Sequence, residues 1–271
     1  MTTLERGKVA VVTGAASGIG KSMARAFAAR GLRIVLGVHS PGQVDAAVSD
    51  PGLRDAEVMA MALDVSDATA VEALMAATVD RFGGVDIVCN NAGTSGSNRP
   101  LWESGAEDWE ALINVNVMGV VHGIRTFIPY LLAQGHGHVV NSSSMAGLTV
   151  FPGNGLYSAT KHAVVALSET LRLDLDAVGS KVGVSVLCPG PVDTPLLERG
   201  RRELLEHFAT LATQHDLSSA TVGTTPISPD DVAQLVIEGI ESDQLYIFPN
   251  PGSAERIRER MTHILEGAGI D

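Results

Sequence analysis

Short apolar runs alternate with amphipathic stretches along most of the 271-residue chain. An apolar run bounded by turn residues is typical of a strand that is buried on both faces of a parallel sheet. The stretches between the runs carry apolar residues at helical spacing, which predicts helices that pack on the sheet. Because parallel strands need such crossover connections, the alternation predicts an α/β fold.

The individual runs place seven strands and the helices between them. Strands are predicted at residues 9–12, 33–38, 57–63, 85–89, 138–142, 182–188 and 245–248. Helices are predicted at residues 21–30, from 41 onward, at 68–82, 106–132, 156–178, 197–211 and 230–240, with a further helical pattern at 257–265. We therefore expect one domain over residues 1–271, with a doubly wound, seven-stranded parallel sheet and helices on both faces.

The composition narrows the classes of partner. The chain has 45% hydrophobic and 18% charged residues, a formal net charge of -12 and a pI near 5.0. Negative charge repels polyanions at long range, so we expect neither a general nucleic-acid surface nor binding to anionic membranes. Cys89 and Cys188 fall in apolar runs and are expected to be small buried hydrophobes in a reducing compartment. Since no basic and apolar leader precedes the first strand, a cytoplasmic location is expected.

Residues 141–161 bring together a cluster of hydroxyl groups, a phenol and an ammonium group. Tyr157 and Lys161 are four residues apart in a predicted helix, so they share one face. A free tyrosine has a pKa of about 10, and an ammonium about 4 Å away at an effective dielectric of about 20 contributes about 4 kcal/mol towards its ionisation. Tyr157 is therefore a candidate general acid/base. Ser144 is a candidate donor to a carbonyl oxygen on which charge develops.

A glycine-rich turn near the amino terminus predicts a site for a hydride donor. The strand at 9–12 leads into residues 13–20, which place Gly14, Gly18 and Gly20 before a helix. These glycines allow a tight turn and a close backbone approach, so a pyrophosphate can bind the free amides at the start of the helix. The order of strand, turn and helix is the context in which this motif predicts dinucleotide binding.

Four motifs together resemble the short-chain dehydrogenase/reductase family. Residues 13–20 are similar to its TGxxxGIG motif, residues 90–93 to NNAG, Tyr157 and Lys161 to YxxxK, and residues 189–194 to the PG motif. They occur in the family's order over almost the whole chain. The resemblance implies a Rossmann-fold oxidoreductase that transfers hydride between NAD(P)(H) and the carbinol or carbonyl carbon of an alcohol or ketone.

The resemblance also implies roles for individual residues. Tyr157 is the expected general acid/base, and Ser144 orients the carbonyl. Lys161 binds the nicotinamide ribose and lowers the pKa of the tyrosine, while Asn116 holds a proton-relay water. Asn114 competes with Asn116 for this last role, although packing inside the helix also explains Asn114.

Further residues are expected to line the site by the same resemblance. The cofactor contacts are expected to be Gly14, Ser17, Gly18, Ile19, Gly20, His39, Ser40, Asp64, Val65, Asn91, Ala92, Gly93, Tyr157, Lys161, Pro189, Gly190, Val192 and Thr194. The substrate contacts are expected to be Ser144, Tyr157, Trp102, Phe151, Leu196 and Leu197. No metal is expected, because the histidines at 136 and 138 have no further ligand at metal spacing.

The end of the second strand bears on the choice of cofactor. In the family, an Asp at the position of Val38 selects NAD, whereas a basic residue just after it or at the position of Ser17 accepts the 2'-phosphate of NADP. This chain has neither. Without a carboxylate to repel it, a 2'-phosphate can be bound by His39 and Ser40, so NADP(H) is favoured and NAD(H) stays possible. A plain helix cap followed by Pro41 also explains Ser40.

Several surface features bear on substrate and assembly. Trp102 lies in a polar loop and either covers the substrate or is an ordinary packing residue. Residues 194–225 are expected to form an apolar substrate lid, and residues 249–271 a C-terminal extension. The apolar run at 113–132 is interrupted by polar residues, which argues against a membrane span and for burial against the sheet and a neighbouring subunit. A homodimer or homotetramer is expected.

The expected function is an NAD(P)-dependent dehydrogenase or reductase acting on a small, apolar secondary alcohol or ketone. There are two alternatives, one outside the enzymes and one within them. A non-catalytic dinucleotide-binding sensor would be expected to lose Tyr157 or Lys161, and this chain keeps both. An epimerase or dehydratase on the same fold is the other alternative.

Overall fold

Seven parallel strands form one sheet in the residues that the computed structural model describes, which are 2–96, 99–202 and 225–269. They are β1 (Val9–Thr13), β2 (Arg33–Val38), β3 (Val58–Ala62), β4 (Ile87–Asn90), β5 (Gly137–Ser142), β6 (Val182–Leu187) and β7 (Tyr246–Ile247). Their order is β3-β2-β1-β4-β5-β6-β7, and each neighbouring pair is parallel. The order reverses between β1 and β4, where doubly wound sheets bind ligands. The predicted fold class is confirmed.

Helices cover both faces of this sheet. They are α1 (Gly18–Ala29), α2 (Val44–Val48), α3 (Ala68–Phe82), α4 (Ala106–Ile113), α5 (Gly119–Gln134), α6 (Gly155–Ala177), α7 (Pro229–Glu241) and α8 (Ser253–Gly267). One hydrophobic core joins α1 and α7 to the sheet, and the other joins α3, α5 and α6. Alternate residues of a strand face the two cores: in β1, Ala10 and Val12 lie in the first core, and Val9 and Val11 lie in the second. Because both faces are buried, each strand is an almost continuous apolar run.

The helix predicted at 106–132 contains a π-turn. Between α4 and α5 the backbone forms a π-helical turn at Asn114–Met118, so the segment Ala106–Gln134 is helical throughout. Among the described residues it is long and apolar enough to span a membrane. Phe127 and Leu131 are nevertheless fully buried against the sheet, so the segment is a core helix. A π-turn inside an α-helix often marks a functional site.

Other element boundaries differ by a few residues from those predicted. Helix α1 starts at Gly18, inside the glycine motif, and β7 has only two residues. The helix predicted from 41 is a 3-10 turn, Pro41–Gln43, followed by the short α2. Residues 195–202 are helical, whereas the rest of the helix predicted at 197–211 and most of the predicted lid lie outside the described residues.

The C-terminal extension forms α8, in agreement with its helical pattern. Ile257 packs against a small core on α6 and β6, and Arg260 donates a hydrogen bond to the Leu148 carbonyl at 3.0 Å. Met261, Ile264 and Leu265 continue the same apolar stripe along the helix and are 41 to 50% exposed. The extension therefore contacts its own subunit near Ile257 and Arg260, and the rest of its apolar stripe is partly exposed.

Candidate active site

The carboxyl ends of β1, β4, β5 and β6 bring the predicted catalytic residues to one edge of the sheet. Helix α6 follows β5 after a short loop and returns past the same edge, carrying Tyr157 and Lys161. The π-turn between α4 and α5 brings Asn116 to this place from the other side. Segments that are far apart in the chain therefore meet at this edge: residues 13 to 20, residues 90 to 93, and parts of the stretch from 144 to 194.

Lys161 is buried and fixed in position. Its side chain is 4% exposed, and its ammonium donates to the carbonyl oxygen of Ser142 at 2.9 Å. The same nitrogen lies 5.5 Å from the centre of the Tyr157 ring, as expected for residues one helical turn apart. Burial lowers the pKa of Lys161 to about 8. The residue can therefore change its charge near physiological pH.

Ser144 lies between β5 and α6 and faces Tyr157. Its hydroxyl accepts a hydrogen bond from the Ala146 amide at 3.1 Å and donates to the Pro189 carbonyl at 3.3 Å. Burial raises the pKa of Tyr157 to about 12, and hydrogen bonding with Ser144 acts in the opposite direction. We expected the Lys161 ammonium to lower this pKa. In the structure burial raises it instead, so the phenol is protonated at neutral pH.

Asn116 is buried within the π-turn and connects it to helix α6. Its side-chain oxygen accepts from the Thr94 amide at 2.9 Å, and its side-chain nitrogen donates to the Thr94 carbonyl at 2.9 Å. The nitrogen also reaches the Thr160 hydroxyl at 3.2 Å, which in turn donates to the Tyr157 carbonyl at 2.8 Å. Asn114, the competing candidate, is partly exposed. The geometry thus favours Asn116.

Three glycines leave a cradle with room for a dinucleotide. Gly14 and Gly18 adopt φ values of +66° and +54°, and a Cβ at Gly14 would lie 2.8 Å from the Ala92 Cα. A Cβ at Gly93 would lie 3.2 Å from the Asn116 side-chain oxygen and 3.5 Å from the Lys161 ammonium. The first turn of α1 holds no acidic residue, so its amides can bind a phosphate. The residues present therefore fit a nicotinamide dinucleotide.

Two polar residues that the sequence reasoning did not assign to the site hold this cradle in shape. The Thr13 hydroxyl accepts hydrogen bonds from the Asn91 and Ala92 amides at 2.9 and 3.0 Å. Asn250 accepts from the Gly190 amide at 2.7 Å and donates to the Pro191 carbonyl at 2.9 Å. Thr13 was visible as the first residue of the glycine motif. Asn250 had no such signal, because it comes from the C-terminal extension.

The residues predicted near the adenosine lie at the ends of β2 and β3. Val38 is fully buried and His39 is exposed. The Ser40 amide donates to the Gln43 side chain at 3.2 Å, so the predicted turn-capping arrangement is present at this position. Hydrogen bonds from Ser66 lower the pKa of Asp64, and the nearby charge of His39 acts in the same direction. The only carboxylate among these residues is thus at the end of β3.

The predicted cofactor contacts gather along this edge. The turn at 14 to 20 lies against the loop after β6, since a Cβ at Gly18 would lie 3.0 Å from the Thr194 methyl group. Val192 pairs with Ile227 in an isolated parallel bridge. Ser17 caps α1 without a side-chain hydrogen bond, and Ile19, Gly20, Val65 and Pro189 lie in the same segments.

The predicted substrate residues are less tightly grouped. Trp102 is 85% exposed, so most of its side chain does not pack on the site. Phe151 lines an apolar cavity of about 530 Å³ together with Leu101 and residues of α6. Tyr157 does not line this cavity, which opens on the neighbouring face of α6. Leu196 and Leu197 are partly buried in the helical stretch 195–202.

Comparison with known proteins agrees with this geometry. The family described as short chain dehydrogenase matches residues 8–204. A 1-deoxy-11-beta-hydroxypentalenate dehydrogenase from Streptomyces avermitilis is 37% identical over 257 residues, which cover 94% of this chain and 89% of that protein.

Two solved structures extend the likeness to the whole fold. A short chain dehydrogenase/reductase from Burkholderia phymatum in complex with NAD is 39% identical, with a TM-score of 0.85 and coverage of 99% of this chain and 97% of that one. An alcohol dehydrogenase from the archaeon Thermococcus sibiricus, complexed with 5-hydroxy-NADP, is 28% identical, with a TM-score of 0.72 and coverage of 89% and 95%. The chain therefore belongs to the short-chain dehydrogenase family and is an NAD(P)-dependent oxidoreductase acting on CH–OH or C=O groups.

Proposed function

We propose that Tyr157, Ser144, Lys161 and Asn116 together catalyse the interconversion of an apolar secondary alcohol and its ketone. The observation that carries the proposal is the position of Tyr157, between a hydroxyl that hydrogen-bonds it and an ammonium fixed to β5. When bound, the nicotinamide supplies or accepts the hydride. The protein must then orient the carbonyl, move one proton and exclude water.

Tyr157 moves the proton in this proposal. A protonated phenol gives its proton to the ketone oxygen in the reducing direction, and the phenolate takes the proton from the alcohol in the oxidising direction. Ser144 donates a hydrogen bond to the same oxygen, where negative charge develops. Because the Ser144 hydroxyl has one proton, this donation replaces its hydrogen bond to the Pro189 carbonyl, while the Ala146 amide still holds its oxygen in place.

Lys161 and Asn116 complete the proposed machinery. The Lys161 ammonium holds the nicotinamide ribose and favours the phenolate, since its positive charge opposes the effect of burial. Asn116 fixes the loop at Thr94 and the helix at Thr160, and its position beside Gly93 suits the binding of a proton-relay water. Both residues thus act at the boundary between cofactor and phenol.

Replacement of the phenol tests the assignment. Tyr157→Phe removes the transferable proton and should lower turnover by about 10²-fold or more, while leaving the dissociation constant of the cofactor nearly unchanged. Lys161→Ala should weaken both turnover and cofactor binding. Tyr130→Phe, which changes a tyrosine on α5, is the matched control and should behave like the wild type. Turnover of Tyr157→Phe within tenfold of the wild type would contradict the assignment.

We also propose a preference for NADP(H). No carboxylate stands at the end of β2, where Val38 is buried, and His39 and Ser40 are the polar groups beside it. Solved relatives carry NAD in one case and an NADP derivative in another, so the preference rests on this chain's own residues. NADPH should bind more tightly than NADH in a fluorescence titration. Val38→Asp should move the ratio towards NADH, and equal affinities in the wild type would contradict the preference.

The substrate is proposed to be a small apolar molecule with a secondary hydroxyl or keto group. The apolar residues Leu196, Leu197 and Phe151 among the predicted substrate contacts are partly buried. A relative is named as the dehydrogenase of a hydroxylated compound, which supports oxidation of an alcohol as the first direction to assay. A panel of secondary alcohols and ketones, run with both cofactors, tests the class. Turnover restricted to primary alcohols or aldehydes would contradict it.

We further propose that the protein is a cytoplasmic homodimer or homotetramer that pairs through α6. Ala159, Ala166 and Leu173 recur at seven-residue spacing along one exposed side of this helix, and Leu173 is 68% exposed. Small and apolar residues at this spacing suit close contact with a second helix. Sedimentation at micromolar concentration should give a multiple of 28.2 kDa, and Leu173→Lys should lower it. A wild-type mass of one chain would contradict the proposal.

A further inference from the structure

A cavity of about 120 Å³ opens beside the glycine turn, between α1 and the segment that contains α2. Ala15 and Ala16 of the turn line one side, and Gln43 lines the other. Gln43 is the residue whose side chain accepts the hydrogen bond from the Ser40 amide. A water needs roughly 10–15 Å³ of such space, so a group of several heavy atoms fits. The cavity thus continues the proposed adenosine site.

Lys21 and Asp50 are the charged residues that line this cavity. Asp50 is 4% exposed, and its carboxylate accepts two hydrogen bonds from the Arg25 guanidinium and one from the Gly52 amide, all at 2.8 Å. The Lys21 ammonium is a further partner at 2.6 Å. Arg25 alone holds the carboxylate in a bidentate pair, which is the stronger type of contact. Asp50 therefore stays paired when Lys21 turns away.

Arg25 makes the bidentate contact with Asp50, whereas Lys21 makes a single contact and its side chain is partly exposed. Asp230, the other carboxylate close to these residues, accepts a hydrogen bond from Ser22 at 2.6 Å and acts on Arg25. Arg25 thus stands between two carboxylates, while the Lys21 side chain is 38% exposed. Lys21 also lies one helical turn after Ser17, with its amide bonded to the Ser17 carbonyl at 3.3 Å. Residues at this spacing share a helix face.

We propose that Lys21 is the cation that recognises the 2'-phosphate of NADP(H). Its ammonium exchanges the Asp50 carboxylate for the phosphate, and Arg25 keeps Asp50 neutralised. Gln43, whose side chain accepts the hydrogen bond from the Ser40 amide, lines the other side of the same subsite. The inference rests on the proposed NADP preference and adds a specificity-determining residue to it. Neither Ser17 nor the end of β2 supplies a lysine or arginine, so the basic residue comes from the next turn of α1.

Binding constants of paired variants test the inference. Lys21→Gln should raise the dissociation constant for NADPH at least about tenfold, because it removes a hydrogen bond between charged groups, and should leave that for NADH unchanged. Lys21→Arg should restore the NADPH value. Lys8→Gln is the matched control, since Lys8 also pairs with an aspartate, Asp86, but lies before β1 at the opposite edge of the sheet. An unchanged NADPH constant, or equal losses for both cofactors, would overturn the role.

A measurement on the unaltered protein covers the case in which Lys21→Gln does not fold. Acetic anhydride should modify the Lys21 amine, and mass spectrometry should show that NADPH slows this reaction and NADH does not. Equal protection by both cofactors would overturn the inference. If the wild-type protein binds NADH as tightly as NADPH, both the proposed preference for NADP(H) and the proposed role of Lys21 are wrong. If Lys21→Gln still binds NADPH more tightly than NADH to the same extent as the wild type, only the proposed role of Lys21 is wrong.

Discussion

The ammonium of Lys161 donates to the Ser142 carbonyl at 2.9 Å, which fastens α6 to the last residue of β5. This contact fixes where the helix passes the edge of the sheet. One turn earlier, Tyr157 is thereby held opposite Ser144, which follows the same strand after one residue. A strand end and a helix separated by a twelve-residue loop thus form one rigid unit.

Removal of the Ser144 hydroxyl tests its role as the donor to the substrate oxygen. Ser144→Ala should lower kcat by about 10²- to 10³-fold, the loss typical of one donor in an oxyanion site, with little change in cofactor affinity. Ser143→Ala is the matched control, because its hydroxyl donates to the Lys161 carbonyl at 2.8 Å and has a structural role. Ser143→Ala should lower the melting temperature more than kcat. Similar losses of kcat in both variants would remove the special role of Ser144.

The two asparagines of the π-turn allow a second comparison. Asn116→Ala leaves the Thr94 amide and carbonyl without their partner, which should cost about 1 kcal/mol of stability for each group, because Thr94 is only partly buried. It should also lower turnover, because the Thr160 contact to the catalytic helix is lost. Asn114→Ala should change both quantities less, since Asn114 is partly exposed. Thermal melts and steady-state rates decide between them, and a larger effect at Asn114 would reverse the assignment.

The raised pKa of Tyr157 and the lowered pKa of Lys161 predict opposite pH profiles for the two directions. Because the pKa of the phenol is about 12, the fraction of phenolate should rise about tenfold per pH unit from pH 6 to 8. The kcat/KM for alcohol oxidation should rise with it. Above about pH 8 the Lys161 ammonium loses its charge and the rise should flatten. Reduction uses the protonated phenol, whose fraction hardly changes in this range, so its rate should be constant from pH 6 to 8. Above about pH 8 the rate of reduction should fall, because the Lys161 ammonium that holds the cofactor loses its charge.

Rates in both directions between pH 5.5 and 9.5 check this prediction, with an alcohol and a ketone chosen from the substrate panel. Lys161→Arg keeps its charge throughout this range, so the change of slope near pH 8 should disappear in that variant. Oxidation that does not depend on pH between 6 and 8 would show that the phenol ionises at lower pH in the reacting complex.

Features that depend on spacing along the chain could be predicted from the sequence. Four residues make about one helical turn, so Tyr157 and Lys161 had to share a face wherever the helix lay. The apolar runs predicted all seven strands, because a strand buried on both faces leaves a continuous signal. The glycine motif predicted the dinucleotide cradle, because the turn and the start of the helix are formed by neighbouring residues of the chain.

Features that depend on the fold could not be predicted in this way. The π-turn that presents Asn116 shifts the helical register within an apolar stretch and leaves little trace in its pattern. Asn250 bonds Gly190 across 60 residues, and no local pattern records such a contact. The pKa of Tyr157 shows the same limit. The closeness of Lys161 follows from spacing, whereas the effect of burial, which raises the pKa, depends on what packs around the phenol.

A buried histidine far from the catalytic edge should set the acid stability of the protein. His138 on β5 is fully buried, its Nε2 shares a hydrogen bond with the Ser185 hydroxyl at 2.8 Å, and burial lowers its pKa to about 4. Between pH 6.5 and 4 the unfolded chain therefore binds a proton that the folded protein does not. The contribution of His138 to stability is complete above about pH 6.5 and is lost as the pH falls to about 4, by up to about 3 kcal/mol.

Denaturant titrations at pH 7 and pH 4 test this prediction. The wild type should lose more stability between these pH values than His138→Asn, because the carboxylates contribute equally to both. His263→Asn, at an exposed position on α8, should retain the wild-type dependence, and an identical pH dependence in wild type and His138→Asn would refute the prediction.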